Sequence, residues 1–217
     1  EHHLKENTLE GQRLRRGLLR RMHDISWFMK TLKQRFARWF NRTRERFGTL
    51  WAERYKSVLV EGDQWSLRVV AAYIDLNAVR AGIVEDPKDY RFCGYGEAVV
   101  GKKSAVEGLK LTGQTLEGYR QMLFGVGSEG KEGKCSISRE DALRVLEKEK
   151  GKLPLAAVLR CRVRYFTDGM ILGSESFVAE QLKKEDAGVR EKKVRPMTGA
   201  DWGGLTVGTG LKKNLFD

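Results

Sequence analysis

Three residues of the stretch AAYIDLNAVRAG, Ala71 to Gly82, carry side chains that could act on a phosphate. Tyr73 has a hydroxyl with an ordinary pKa near 10, so as a nucleophile at neutral pH it needs a base, a cation or a metal beside it. Asn77 follows four residues on, and on a helix the two share a face. Arg80 follows at seven, two turns along that face. A hydroxyl, an amide and a guanidinium in a row suit a nucleic-acid backbone phosphate. The same spacing also describes an aromatic residue packed into a core, and spacing alone does not separate the two.

Other chemistries lack their residues. There is no Walker A loop and no nucleophile elbow. Of the three histidines, His2 and His3 are adjacent, so on a strand they point to opposite faces and do not form a His-x-His pair. His23 sits between Met22 and Asp24 and reads as a packing residue. No metal site is identified. The three cysteines, Cys93, Cys135 and Cys161, are far apart and show no C-x-x-C spacing. Reduced thiols and a cytoplasmic location are expected.

The elements that must position these residues begin with a long amphipathic helix. Leu14, Leu18, Met22, Ile25, Met29, Leu32, Phe36 and Trp39 step by three or four, which predicts one helix from about Leu14 to Phe40 with that stripe in the core. Twelve Lys and Arg between Gly11 and Phe47 face only Asp24 and Glu45, a local balance of +10 against +12 for all 217 residues. Charge so concentrated points to a polyanionic partner. YKSVLVE predicts a strand over Tyr55–Glu61. Gly62-Asp63 then makes a turn, with Asp63 as N-cap of a helix from Gln64 to Ala78 or Arg80. No apolar run is long enough for a membrane helix, and the first ten residues, EHHLKENTLE, lack the features of a secretory signal.

Further on, GVGSEGKEGK (Gly125 to Lys134) reads as a linker, and residues 101–134 form the linker region. Residues 135–195 are expected to be helical, opened by Ser138 as N-cap. LPLAAVLRCRVRYFTDG and SESFVAEQLKK read as two helices joined through TDGMILG, compatible with helix-turn-helix DNA binding. The Gly-rich tail, 196–217, is expected to be irregular.

ISWFMKTLKQRFARWFNR, GTLWAERYKSVLVEGD and YIDLNAVRAGIVEDPKDYRFCGYGEAV together resemble the REP-associated tyrosine transposases, a branch of the HUH single-tyrosine transposases. The likeness covers about Ser26 to Gly96. It implies that Tyr73 is the catalytic tyrosine, which attacks a single-stranded DNA phosphate and becomes joined to the 5′ phosphate. It also implies an α+β fold in which residues 1–100 are a partial ferredoxin-like transposase domain. That domain is a mostly helical remnant with one confident strand, followed by a small helical C-terminal domain. The nucleic-acid-binding residues would be Arg35, Arg38, Arg42, Arg44, Arg54, Lys56, Asn77 and Arg80. The complete family domain uses Mg²⁺ or Mn²⁺ on a His-x-His pair.

The chain departs from the family pattern in three ways. Ala78 stands where Pro is usual, which should leave the tyrosine helix more continuous. The His-x-His strand is not found upstream of the long helix, and the early strands of the sheet are missing too. A transposase truncated at its N-terminus is therefore expected. It would nick and rejoin single-stranded DNA at hairpin-forming repeats, with single-stranded or hairpin DNA as partner and a homodimer left open. The alternative is a non-catalytic DNA-binding protein using the basic helix and the C-terminal hairpin. An RNA-binding protein is a third reading, since the basic helix does not distinguish the two nucleic acids.

Overall fold

The computed structural model describes residues 8–52, 55–124, 151–168, 170–184 and 193–208. They fall into two units, Glu1–Lys56 and Ser57–Asp217. Together they are mixed α+β, with a small four-stranded sheet. No described helix is long and apolar enough to cross a membrane.

In the first unit, Thr8 caps α1 (Leu9–Leu19) by accepting from the Gly11 amide at 3.1 Å. The single helix expected over 14–40 is broken here. After Leu19 the chain turns, His23 adopts φ 63°, and Asp24 caps a second helix, α2 (Ile25–Thr43). Asp24 Oδ1 accepts from the amides of Ser26 (2.8 Å) and Trp27 (3.1 Å), donors that the start of a helix leaves without partners. Histidine tolerates the left-handed region better than most side chains, so the sequence His-Asp can end one helix and start another.

Beyond α2 the chain doubles back along it. Asn41 Nδ2 donates to the Gly48 carbonyl, Trp51 Nε1 donates to the Lys33 carbonyl, and the Tyr55 and Ser26 hydroxyls are 2.8 Å apart. The apolar stripe is not core as expected, because no residue of α2 is buried.

The second unit starts with β1 (Leu59–Val60), much shorter than the strand expected over 55–61. Asp63 caps α3 (Gln64–Asp75), as the sequence indicates, accepting from Trp65 and Ser66 amides at 2.8 and 3.0 Å. The helix is not more continuous for having Ala78. It is interrupted at Leu76 and resumes as α4 (Asn77–Arg80). Gly82, at φ 66°, then stops it. The Gly82 amide bonds to the Val79 carbonyl and the Ile83 amide to that of Ala78, a Schellman pattern that consumes otherwise unpaired carbonyls. A 3₁₀ turn (Pro87–Asp89) leads to α5 (Gly94–Val99), α6 (Lys103–Leu111) and α7 (Leu116–Phe124).

The described C-terminal residues do not stand apart. Leu153, Val158, Leu159, Val163, Leu172, Trp202 and Val207 share one core with Val69, Ala72 and Leu76 of α3 and Tyr119 and Leu123 of α7. The linker region expected over 101–134 is not one throughout: residues 103–124 form α6 and α7, and Tyr119 and Leu123 are packed into the core, while 125–134 and the cap at Ser138 lie outside the described residues. The expected helix-turn-helix is replaced by α8 (Leu155–Leu159), α9 (Arg164–Asp168), β2 (Ile171–Gly173) and α10 (Glu175–Lys184). Its turn, TDGMILG, contains β2, a fully buried strand. β2 pairs parallel with β1 and antiparallel with β4 (Thr206–Gly208), and β3 (Val194–Pro196) closes the order β1-β2-β4-β3.

The tail expected to be irregular thus supplies the buried β4. Gly208 lets α10 lie close on the sheet, since a Cβ there would come within 2.9 Å of Val178 Cγ1. Glu61 ties β1 to the head of α10, accepting from the Ser174 amide at 2.5 Å and its hydroxyl at 3.1 Å.

Candidate functional site

Tyr73 lies in the last turn of α3, half-buried against the core. Its ring stacks on Phe166 of α9, with centroids 4.2 Å apart and planes 23° from parallel. The Arg80 guanidinium carbon is 3.8 Å from the same ring's centroid. Among the described residues the Tyr73 hydroxyl makes no hydrogen bond, so the ring is held while its hydroxyl end is left unengaged.

Tyr73, Asn77 and Arg80 are brought together as their spacing predicts, although the helix is interrupted between them. The Arg80 guanidinium, however, is substantially committed. Nη1 donates to the Leu159 carbonyl at 2.8 Å, and Nη2 to the Tyr73 carbonyl at 2.7 Å and to Asn77 Oδ1 at 3.5 Å. Burial lowers its pKa, against which the Tyr73 and Cys161 side chains act weakly. It remains a cation in any ordinary buffer. Those bonds join α4 to the end of α8 and clamp the tyrosine helix. Asn77 is exposed.

Beneath this site lies a group of residues that the sequence reading missed. Asp75, only 6% exposed, accepts from the Tyr119 hydroxyl at 2.8 Å and the Tyr95 amide at 3.2 Å. Burial pushes its carboxyl above the ordinary range, and these hydrogen bonds only partly offset that. The Tyr119 phenol is pushed far up, first by burial and then by the Asp75 charge. Cys93 is buried, its thiol pushed up by burial, and it bonds to the Pro87 carbonyl at 3.1 Å and the Gly96 amide at 3.2 Å. It is a packing thiol. Nearby, Arg120 forks onto Asp86 at 2.9 and 3.4 Å and also reaches the Tyr95 hydroxyl. The clue to Asp75 was available, as a lone carboxylate beside Leu76 on a helix with an apolar face. Phe166 carried no such signal, since it comes from a distant part of the chain.

The remaining candidate residues are in the first unit. Arg35, Arg38 and Arg42 are exposed on α2 and step by three and four, so they form a row beside the apolar stripe. Arg44, the C-cap of α2, and Lys56 are exposed too, and Arg54 lies outside the described residues. Aromatic rings alternate with these charges. Arg21 and Lys30 sit 5.0 and 4.8 Å from the Trp27 ring, Lys33 5.0 Å from Trp51, and Arg46 5.9 Å from Phe40.

Among the described residues no group of three or more His, Cys, Asp or Glu side chains could hold a metal ion. Comparison with family models, with curated proteins and with solved structures finds no match to this chain.

Proposed function

We propose that the chain acts on single-stranded DNA as a transposase of the single-tyrosine kind. The first unit holds the strand, and Tyr73 is the nucleophile of a ferredoxin-like catalytic domain. The observation that carries this reading is the segment from Gly11 to Phe47, where twelve cations crowd α1, α2 and their flanks beside an apolar stripe that stays largely exposed. Solvated surface helices ordinarily interleave both signs of charge, and folded monomers ordinarily bury such a stripe.

In the reaction, the Tyr73 phenol gives up its proton to solvent, its oxygen attacks the phosphorus, and the bond to the 3′ oxygen breaks. That oxygen leaves as a hydroxyl once it takes up a proton, and the 5′ phosphate stays on the tyrosine. Rejoining reverses these steps with a new 3′ hydroxyl. Stacking on Phe166 and the clamp made by Arg80 would fix the ring, so that little orientational freedom remains to be lost at the phosphate. Mg²⁺ or Mn²⁺, implied by the resemblance, would polarise that phosphate in the complete family domain. The described residues offer no donor set that fits such an ion.

A second reading, DNA binding without catalysis, is favoured by one observation. Arg80 spends donors on two backbone carbonyls instead of presenting its whole fork outward. The test is a single-stranded hairpin incubated with Mg²⁺ or Mn²⁺, a denaturing gel, and mass spectrometry of any adduct. A low yield of adduct mapped to Tyr73 and lost in Tyr73→Phe is expected. Adduct that survives Tyr73→Phe would overturn the nucleophile. Binding with no adduct at all would leave the non-catalytic reading.

A further inference from the structure

The first unit contains a groove that its basic charge alone does not explain. Its floor is Met29, Leu32 and Phe36 of α2, and its other wall is Trp51, Ala52 and Tyr55 of the returning segment, with Lys33 at the rim. Its volume is about 470 Å³, within the range of small-ligand clefts. The lining is almost wholly apolar, and its large rings are not hidden, with Phe36 41% and Trp51 44% exposed.

The polar ends of two of these rings are already engaged, Trp51 Nε1 by the Lys33 carbonyl and the Tyr55 hydroxyl by Ser26. Those bonds fix the rings in place, and the ring bodies stay partly exposed, with Lys33 over part of Trp51 and Trp39 and Phe40 against Phe36. A binding surface held in its working form loses little conformational freedom when it is filled. The Phe36 and Trp51 rings touch at 5.7 Å and are inclined at 44°, so nothing slides between them, and an occupant lies in the angle between floor and wall.

Charge selects that occupant. A second copy would bring another strongly cationic surface against this one, so self-association on this face is opposed. An occupant that is flat, apolar on its faces and attached to anions matches both the floor and the surrounding cations. We infer that the groove takes an unpaired nucleobase of a single strand, stacked against Phe36 and Trp51, while Lys30, Lys33 and the arginine row hold the adjoining phosphates. This rests on the DNA reading above and adds to it that the first unit reads bases as well as backbone charge. Duplex DNA keeps its bases stacked on one another and offers none to the groove, so single-strand preference follows from the same contact. Base-on-aromatic stacking is tolerant of sequence, so the preference is for strandedness rather than for a particular base.

The experiment measures binding of the full chain, at one salt concentration, to an oligothymidylate, to an abasic strand of equal length, and to duplex DNA. The abasic strand keeps the phosphates and lacks the bases. Oligothymidylate is expected to bind roughly tenfold or more tighter than the abasic strand. Trp51→Ala should shrink that ratio towards unity while leaving the dependence on salt in place. Trp51→Leu, which keeps the apolar bulk, should shrink it as well, and Trp51→Phe, which keeps a ring, should retain most of it. The two bulkier variants keep the test decisive if Trp51→Ala does not fold. Equal binding of oligothymidylate and abasic strand by the parent would overturn the base site while leaving DNA binding intact. A ratio unchanged in Trp51→Leu would overturn it too, as would a dimer that Trp51→Leu converts to monomer. Failure to bind any of the three strands would overturn the DNA reading itself, and the base site with it.

Discussion

Asp75 and Tyr119 show what a single buried pair does for the candidate site. Tyr119 donates to a largely buried carboxylate, and that carboxylate also accepts from Tyr95 at the head of α5. The pair therefore fastens the end of the tyrosine helix to two other helices. Tyr119→Phe removes one hydrogen bond to a charged acceptor and should cost about 1.5–3 kcal/mol, read from chemical denaturation.

Asp86 gives a pH dependence of definite sign. Burial raises its pKa, but hydrogen bonds from Arg120 and Lys88 outweigh that and hold it below the ordinary carboxylate range. A carboxyl depressed in the folded state adds stability that is complete above the unfolded pKa and is lost as pH falls through the folded value. Arg120→Met should therefore lower stability at pH 7, by about 1 kcal/mol or less because the pair is partly exposed. The difference from the parent should shrink in strong acid to what the Tyr95 and Phe124 contacts of Arg120 contribute. Denaturation midpoints across an acid series check both statements.

Among the elements, the clearest dependence on one residue is at Gly82. Its positive φ completes the pattern that ends α4 two residues after Arg80. Gly82→Ala forces a Cβ into the left-handed region and should cost about 1–2 kcal/mol, seen as a lower denaturation midpoint. A neutral effect would mean that the helix end relaxes without it.

The sequence was informative about elements whose signal is local. Asp63 caps α3 because its side chain sits at the right offset, and the face of Tyr73, Asn77 and Arg80 follows from helical period alone. The break at His23–Asp24 was equally local but was masked by an apolar stripe that runs through it in phase. The short strands were not legible for a different reason. Ile171–Gly173 and Thr206–Gly208 are buried on both faces, so they show no alternation, and three residues give no period to read. Phe166 reaches Tyr73, and the Leu159 carbonyl reaches Arg80, through tertiary packing that no spacing rule encodes.

At the scale of the whole molecule, positive charge and apolar core are segregated. Residues 9–44 carry most of the net charge and bury almost nothing, whereas the second unit holds the core and Tyr73. That core is built from both sides of the Gly-rich stretch, so the two sides should not separate. A specific protease site inserted at Gly130 and cut should yield fragments that co-elute under native conditions. Independent elution would show that residues 151–208 do not need Val69, Leu76 and Tyr119.

In the proposed function the first unit is the DNA-facing surface. The measurement that tests this is the affinity for a single-stranded hairpin as a function of salt, for the parent chain and for Arg35, Arg38 and Arg42 replaced together by Ala. Each phosphate neutralised on a single strand contributes about 0.7 to the slope of log affinity against log salt. Affinity should fall steeply with salt in the parent, and the triple variant should bind more weakly with a slope flatter by about 2. Salt-insensitive binding, or a triple variant indistinguishable from the parent, would contradict the account.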